Sequence, residues 1–226
     1  TYDFSTASVS VSVNLEAEAL DPTVFTDTAE RATAGIRKDT IEWAGLFDDG
    51  TSADAAGSAM IGSGTNNVMS ILLGTTTGDR AYVGTNYLLA AKAVARIGEL
   101  VRQELALKPD GTWIAAKHFG GIRSRTGTAT DTSGSLNDGT VTSGTQYFIS
   151  HCFSLTLATG QLDIRLAQNL DGTGWVVKET HTYTTVGSQI TLLTGSLGSM
   201  VRMDTAPGGT ATGSTTANFW SAYRRA

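Results

Sequence analysis

The feature that most constrains the fold of this chain is an alternation of apolar and polar side chains along short segments that end at turn residues. Between Ser8 and Leu20, Val9, Val11 and Val13 alternate with serine and asparagine. Successive side chains of a strand point to opposite sides of a sheet, so this spacing predicts a strand with one buried face. Thr and Val favour strands, and the 26 glycines favour tight turns. The chain is therefore predicted to be mostly β.

A second strand is predicted from Ile36 to Leu46, where Ile41 and Trp43 would face a core and Glu42 would face outward. Asp48, Asp49 and Gly50 then supply turn chemistry. On the pattern alone, an ordinary amphipathic strand with its turn explains this run. Further along, Ser52 to Ile61 is rich in alanine and predicts one short helix, and two more short strands are predicted at Val68 to Leu73 and Arg80 to Tyr87.

The second half of the chain is predicted to form a separate β-sandwich. Gly120 to Gly144 is rich in Gly, Ser and Thr and predicts a long surface loop or linker. Several short alternating segments follow at a spacing typical of a sandwich: Gln146 to Leu157, Leu162 to Leu166, Trp175 to Val177, Ile190 to Leu193, Met200 to Met203 and Asn218 to Tyr223. The first of these carries Tyr147, Ile149, His151, Phe153, Leu155 and Leu157 at alternate positions.

Charge divides the chain at the same place. Residues 1–111 carry 15 acids and 8 bases, whereas residues 112–226 carry 6 acids and 8 bases. We therefore expect two domains, 1–111 and 112–226, with 120–144 as a linker. A chain with a net charge of −5 is a poor candidate for holding nucleic acid, because such affinity comes mainly from Lys and Arg. No apolar run approaches the roughly 18 residues of a membrane span, so we expect no membrane partner.

A search for catalytic chemistry gives no candidate. His118, His151 and His181 lack metal-ligand spacing, and the adjacent His151 and Cys152 would point to opposite faces of a strand. Neither a nucleophile elbow nor a phosphate loop occurs. Cys152, the single cysteine, fits a small core residue in a protein that folds in a reducing cytoplasm. We expect no enzyme activity, no catalytic or metal residues and no cofactor.

One ordered set of residues resembles a known family. Phe25, Asp27, Thr28, Arg31, Gly35, Ile36 and Trp43, with the Phe47-Asp48-Asp49 run that follows, are similar to the front of the major tail tube proteins of long-tailed bacteriophages, or siphophages. The resemblance covers about a quarter of the chain tightly. It implies a tail-tube-type β-sandwich or half-barrel, followed here by a second β-sandwich.

The same resemblance implies two antiparallel strands within Tyr87 to Leu107, joined by a turn at Gly98 and Glu99. Residue propensity alone suits a helix there, with leucines and alanines at helical spacing. We expect strands, since a central glycine favours a hairpin. In the second half, Gln168 to Trp175, Met200 to Met203 and Asn218 to Arg225 more loosely resemble accessory domains fused behind tail tube or head-decoration domains.

Membership of this family would make the protein a structural virion component in the phage tail, assembled in the host cytoplasm. Copies would form stacked hexameric rings whose channel conducts DNA without specific binding, together with tape measure, tail terminator and tail tip proteins. Inter-ring contacts would come from the loop that holds Phe47, Asp48, Asp49, Asn66 and Asn67. Glu42, Glu99 and Glu104 would face the channel and repel phosphate.

A second function remains open, that of a sugar-binding adhesin or capsid decoration protein built from two β-sandwiches. Trp175, Tyr183, Trp220 and Tyr223 would supply its aromatic platform. The bland interpretation of these four residues is that they belong to the sandwich core. Assembly state separates the two functions, because a tube subunit polymerises and an adhesin stays a small oligomer.

Overall fold

The computed structural model describes residues 8–20, 33–46, 59, 61, 67–95, 99–138, 145–170, 172, 174–208 and 215–225. Nearly all of this is β-structure, which confirms the predicted fold class. Of the predicted helix from Ser52 to Ile61, only residues 59 and 61 are described, so that prediction lies outside the described residues. None of the described helical residues forms a segment long and apolar enough to cross a membrane.

Sixteen strands occur in the described part of the chain. They are β1 (Ser8–Asn14), β2 (Ala17–Leu20), β3 (Thr33–Arg37), β4 (Thr40–Leu46), β5 (Asn67–Leu72), β6 (Arg80–Val94), β7 (Arg102–His118), β8 (Arg123–Gly127), β9 (Asp131–Thr132), β10 (Leu136–Asn137), β11 (Gln146–Leu157), β12 (Gln161–Asn169), β13 (Val176–Tyr183), β14 (Gly187–Leu193), β15 (Met200–Gly208) and β16 (Thr215–Arg224).

The chain forms two compact units. The first unit comprises Tyr2–Met69 and Gly84–Trp113, and the second comprises Ser70–Val83 and Ile114–Ala226. The later boundary falls close to the predicted division at residues 111 and 112, which stays a prediction. One segment of the first half, Ser70–Val83, belongs to the second unit. The chain therefore enters the second unit at Ser70, returns to the first at Gly84 and enters the second again at Ile114.

The first unit is built on β1, β4 and the leading part of β7, which pair side by side in antiparallel register. Val11, Trp43 and Leu105 form one cross-strand row, and β2 pairs with β3 in a separate ribbon. The segments predicted as single strands are each broken once, between β1 and β2 and between β3 and β4. At this break Glu16 N donates to Asp39 Oδ1 at 3.1 Å, so the two bends are joined.

Within Tyr87 to Leu107, the described residues are extended and not helical, as the strand prediction stated, whereas Gly98 of the predicted turn lies outside the described residues. β6 and β7 occupy it and pair with each other. Burial along β7 has period two: Gln103, Leu105 and Leu107 are buried, whereas Glu104 and Ala106 are exposed. Helical propensity is overridden here because the alternate side chains pack into the core of a sheet.

The second unit is a two-sheet sandwich. One sheet joins β8, β16, β11 and β14, and the other joins β10, β15, β12 and β13, with β9 against β15. Side chains from both sheets meet in one core, among them Phe148, Phe219, Leu162, Ile164 and Met203. The fully buried aromatic rings supply much of the apolar area that stabilises this unit.

Both faces of β11 are buried. Phe148 and Cys152 face the sandwich core, whereas Ile149 and His151 are buried on the opposite face. The face that carries Ile149 and His151 is covered from outside the sandwich core, since Ser70, at the start of the Ser70–Val83 segment, contacts His151. A strand buried on both faces carries no clean signal of which face is inside.

The stretch predicted as a loop, 120–144, contains β8, β9 and β10 within its described part. Arg125 is buried and donates to Thr205 O at 2.6 Å, and Met203 N donates to Ser133 Oγ at 2.8 Å. The described part of this stretch is therefore not loop alone, because polar side chains anchor it to β15, and its role as a linker between domains stays a prediction. The composition of residues 120–144 indicates only that large apolar side chains are few, and it does not reveal these hydrogen bonds.

Candidate functional site

One sheet surface of the first unit is a polar face, here called the polar sheet face. It bears side chains that share small size or charge and forms a shallow groove of about 410 Å³, lined by Ser10, Ser12, Glu42, Trp43, Ala44, Ala90, Lys92, Glu104, Leu105 and Ala106. Ser12, Glu42 and Ala106 form one cross-strand row, and Ser10, Ala44 and Glu104 form the next. These two rows therefore carry only serine, alanine and glutamate side chains, with no aromatic or branched apolar residue among them.

The charges on the polar sheet face are mixed. Glu42 and Glu104, both predicted to face a channel, share this face, and Lys92 Nζ lies 3.8 Å from Glu104 Oε2. Arg102 and Lys108 are separated from Glu104 along β7 by even numbers of residues, so the three lie on the same side of the strand, and all are exposed. The third predicted acid, Glu99, is exposed in the connection between β6 and β7 and not on a strand.

Beside this face lies an edge strand with an uncovered apolar side. Within the described residues β1 pairs with β4 alone, and the register shifts between Ser8 and Ser10. Val9 is 61% exposed and Val11 is 38% exposed. The sequence predicts these valines as a buried face, so one side of β1 carries core-type residues that the described part of the chain leaves exposed.

Trp43 fixes β4 under this edge. Its side chain is 1% exposed, and its indole Nε1 donates to Ser8 Oγ at 2.6 Å. A buried indole N–H without an acceptor would cost free energy, so this bond also holds the start of β1 in place. Of the residues that carry the family resemblance, Trp43 is thus a core anchor.

The other predicted assembly and motif residues are largely outside the described part of the chain. That group comprises Phe25, Asp27, Thr28, Arg31, Phe47, Asp48, Asp49 and Asn66. Gly35 and Ile36 lie in β3, and Asn67 begins β5 and is half-buried. The structure does not bring the candidate loop residues together in a described site.

The second unit contains buried histidines in hydroxyl-lined positions. His151 contacts Ser70 Oγ through Nε2 and Ser188 Oγ through Nδ1, both at 2.5 Å, and stacks on Trp220 with ring centres 5.3 Å apart. Burial, and then the neighbouring His181, lower the pKa of His151 to about 4. The ring is therefore neutral at pH 7 and acts as a structural hydrogen-bonding group.

His181 occupies a similar position inside the sandwich. Its Nδ1 lies 2.6 Å from Ser150 Oγ and its Nε2 lies 2.9 Å from Thr191 Oγ1, while Tyr183 OH donates to Ser150 O at 2.8 Å. Burial lowers the pKa of His181 to about 4 and raises that of Tyr183. Ser150 is fully buried, so this serine and histidine are closed off from solvent.

The residues proposed for a sugar platform do not form one. Tyr183, Trp220 and Tyr223 are buried, whereas Trp175 is half-buried with the Arg202 guanidinium 4.4 Å from its ring centre. Cys152 is fully buried in the sandwich core, as predicted, and burial raises its pKa to about 11. Among the described residues, no cluster of His, Cys, Asp and Glu is placed to hold a metal ion.

One feature of the second unit escaped the sequence reasoning. A cleft of about 350 Å³, here called the basic cleft, is lined by Arg80, Ala115, Ala116, Lys117, Asp138, Tyr223, Arg224 and Arg225. Its residues come from four separate parts of the chain, so charge patterning along the sequence reveals only the adjacent pair Arg224 and Arg225.

Comparisons with known proteins give structural likeness at low identity. No family model and no curated protein matches the sequence. A chain from the virion of a native gene transfer agent particle shares 16% identity at a TM-score of 0.41, covering 48% of this chain and 84% of the other. A chain from the tail of an empty gene transfer agent particle with C6 symmetry gives the same identity and TM-score, covering 48% of this chain and 81% of the other. A TM-score of 0.41 is too low to establish a common fold or role.

Proposed function

We propose that this protein is a structural subunit of a bacteriophage tail, and specifically a tail tube protein whose copies form stacked hexameric rings. The observation that carries the proposal is edge strand β1, which presents Val9 and Val11 to solvent on one side. Unpaired strand edges attract other strands, and natural proteins normally blunt them with charge or cover them. In a ring, the neighbouring copy supplies that cover.

The polar sheet face then lines the channel. Serine and alanine side chains keep its central rows free of obstruction, and Glu42 and Glu104 face the passing DNA. Because Lys92, Arg102 and Lys108 share the face with these acids, repulsion of phosphate is weaker than a purely acidic wall would give. In this proposal DNA passes without specific binding, because the face offers mixed, mostly small side chains to the phosphates.

The remaining partners follow from this role. Tape measure, tail terminator and tail tip proteins would meet the inner wall and the two ends of the tube, within the virion. Rings would stack through the segment that contains Phe47, Asp48, Asp49, Asn66 and Asn67. The second unit, a closed sandwich with a well-packed core, would form an accessory domain.

A charge placed on the β1 edge tests the proposal. Val9→Lys puts an ammonium group where a neighbouring copy would pack, so we expect loss of rings and tubes in electron micrographs of the purified protein. Val176→Lys is the matched control, because Val176 is 60% exposed against 61% for Val9 and lies on β13, an outer strand in the second unit. Circular dichroism checks that both variants fold.

Three results decide the question. Rings in the wild type and the Val176→Lys control, but not in Val9→Lys, support the role of β1. Equal assembly by all three proteins would show that the β1 edge is not an interface. A wild-type protein that stays monomeric at high concentration would contradict the tube function itself. The adhesin alternative finds no specific support, since three of its four aromatic residues are buried.

A further inference from the structure

We propose that the basic cleft of the second unit binds carboxylate groups on the acidic first unit of another copy of this chain. The inference deepens the proposed self-assembly and rests on it. The cleft gathers Arg80 from β6, Lys117 from β7, and Arg224 and Arg225 from the end of β16 around a single acid, Asp138. Two small residues, Ala115 and Ala116, leave room between these charges.

Asp138 is already satisfied within the cleft. Lys117 Nζ donates to Asp138 Oδ1 at 2.5 Å, and Tyr223 OH donates to Asp138 Oδ2. Burial opposes ionisation of Asp138, but these two hydrogen bonds and the charges of Lys117 and Arg225 outweigh it, so the pKa of Asp138 lies below its usual value. The carboxylate is therefore charged at pH 7 and offsets one of the four cations.

Two of the remaining cations, Arg80 and Arg224, give the cleft a surplus of positive charge. Within the part of the chain that the structure describes, no ion pair involves Arg80 or Arg224. Arg80 is exposed and Arg224 is half-buried, so both guanidinium groups are within reach of an incoming partner. Guanidinium groups bind carboxylates and phosphates through paired hydrogen bonds, and they do so more strongly in a partly desolvated cleft.

The charge of the chain favours a carboxylate partner. The first unit contains 14 acids and 7 bases, and the second contains 7 acids and 9 bases. The first unit of a second copy thus carries a complementary surplus of acids, whereas a chain of net charge −5 repels polyphosphate at long range. A contact between unlike surfaces of two copies is heterologous, and such contacts generate rings or filaments.

Sedimentation velocity of the full chain at increasing NaCl concentration tests the inference. The double variant Arg80→Gln with Arg224→Gln removes two charges from the cleft without adding bulk. We expect its association constant at low salt to fall at least tenfold, and its salt dependence to become shallower than that of the wild type. Lys178→Gln with Arg123→Gln removes the same charge from the same unit outside the cleft, at side chains whose partners are exposed, and we expect its association constant to stay within twofold.

A second measurement identifies the chemistry. A short fluorescent polyglutamate peptide should bind the wild type more tightly than the double variant, with inorganic phosphate as a weak competitor. Duplex DNA of 20 base pairs is the alternative probe, and cleft-dependent DNA binding tighter than peptide binding would overturn the inference. Rings that form equally well with the double variant would overturn it while leaving the proposed function intact. A wild type that never associates would instead remove the basis of both proposals.

Discussion

The two units of this chain solve the same problem of β-structure in different ways. The second unit closes two sheets on each other and holds 24 of the 30 buried apolar residues described, against six in the first unit. The first unit has more exposed large apolar residues, nine against seven, although less of it is described. The sandwich closes around its own core, whereas the described core of the first unit is small and its edge strand β1 exposes valines.

This difference teaches where stability and assembly reside. The sandwich core contributes most of the hydrophobic free energy that one chain generates by itself. The first unit places its few buried side chains, above all Trp43, beneath a sheet whose edge strand and polar sheet face remain accessible. The two units should therefore respond differently to truncation of core residues, to acid and to changes in surface charge.

The largest effect is expected from a cavity in the sandwich. Phe219→Ala removes a fully buried ring that belongs to the core between the two sheets. We expect a loss of about 3–5 kcal/mol in the free energy of unfolding, measured by guanidinium denaturation. Val176→Ala, at an exposed position, should change it by less than about 0.5 kcal/mol. A loss below about 1 kcal/mol for Phe219→Ala would contradict the claim that this core dominates stability.

Acid should act on the second unit first, because all three histidines lie there. Burial lowers the pKa of His151 and His181 to about 4, against about 6.5 in the unfolded chain. Between these pKa values the unfolded state binds protons that the folded state does not. The contribution of the two histidines to the free energy of unfolding is therefore fully present above pH 6.5 and is lost as the pH drops from 6.5 to 4. Each buried histidine accounts for on the order of 3 kcal/mol of this loss.

Denaturant titrations at pH 7, 5.5 and 4.5 measure that loss. His181→Gln keeps an amide that can hydrogen-bond with Ser150 and Thr191 but does not titrate, so its stability should decline less steeply with acid. An unfolding free energy that stays constant from pH 6.5 to pH 4.5 in the wild type would show that these histidines are not held neutral by the fold.

Alternation and turn residues predicted the β class and the sandwich, because they report local geometry directly. The pairing of β6 and β7 was predicted from the family resemblance and a central glycine, against the helical propensity of the segment. Sequence reasoning could not assign Ile149 and His151 to a second buried face, since the segment that covers them, Ser70–Val83, is distant in sequence. It also missed the strands anchored by Arg125, because burial of a hydrogen-bonded arginine leaves no hydrophobic signal.

The candidate surfaces were predictable to different degrees. Alternation placed Glu42 on the outward face of β4, and the structure adds Glu104 beside it on the polar sheet face. The basic cleft depends on residues from four parts of the chain and was invisible to any local pattern. The exposed valines of β1 were expected to be buried, because a sequence reports that a face is apolar but not which molecule covers it.

A smaller effect is expected from backbone crowding in the first unit. A Cβ added at Gly84 would lie 2.6 Å from the indole Nε1 of Trp113, which donates to Asn86 Oδ1 at 3.1 Å. Gly84→Ala must displace this buried ring, so we expect a loss of about 1–3 kcal/mol in the free energy of unfolding. Gly174→Ala meets no atom within 4 Å and is the control. Equal stability of the two variants would mean that Trp113 shifts without cost.

The smallest effect on stability is expected on the polar sheet face. Lys92 and Glu104 are separated by 3.8 Å and both side chains are more than half exposed, so Glu104→Gln should change the free energy of unfolding by less than about 0.5 kcal/mol. Glu18→Gln, whose partner Lys38 lies 3.2 Å away and off this face, should behave alike in urea denaturation.

The two variants should differ only after assembly: tubes carrying Glu104→Gln should retain more duplex DNA at low salt than tubes carrying Glu18→Gln, because a negative charge has been removed from the channel wall. Identical DNA retention by the two kinds of tube would place Glu104 away from the channel, and a large loss of stability would make its charge structural instead.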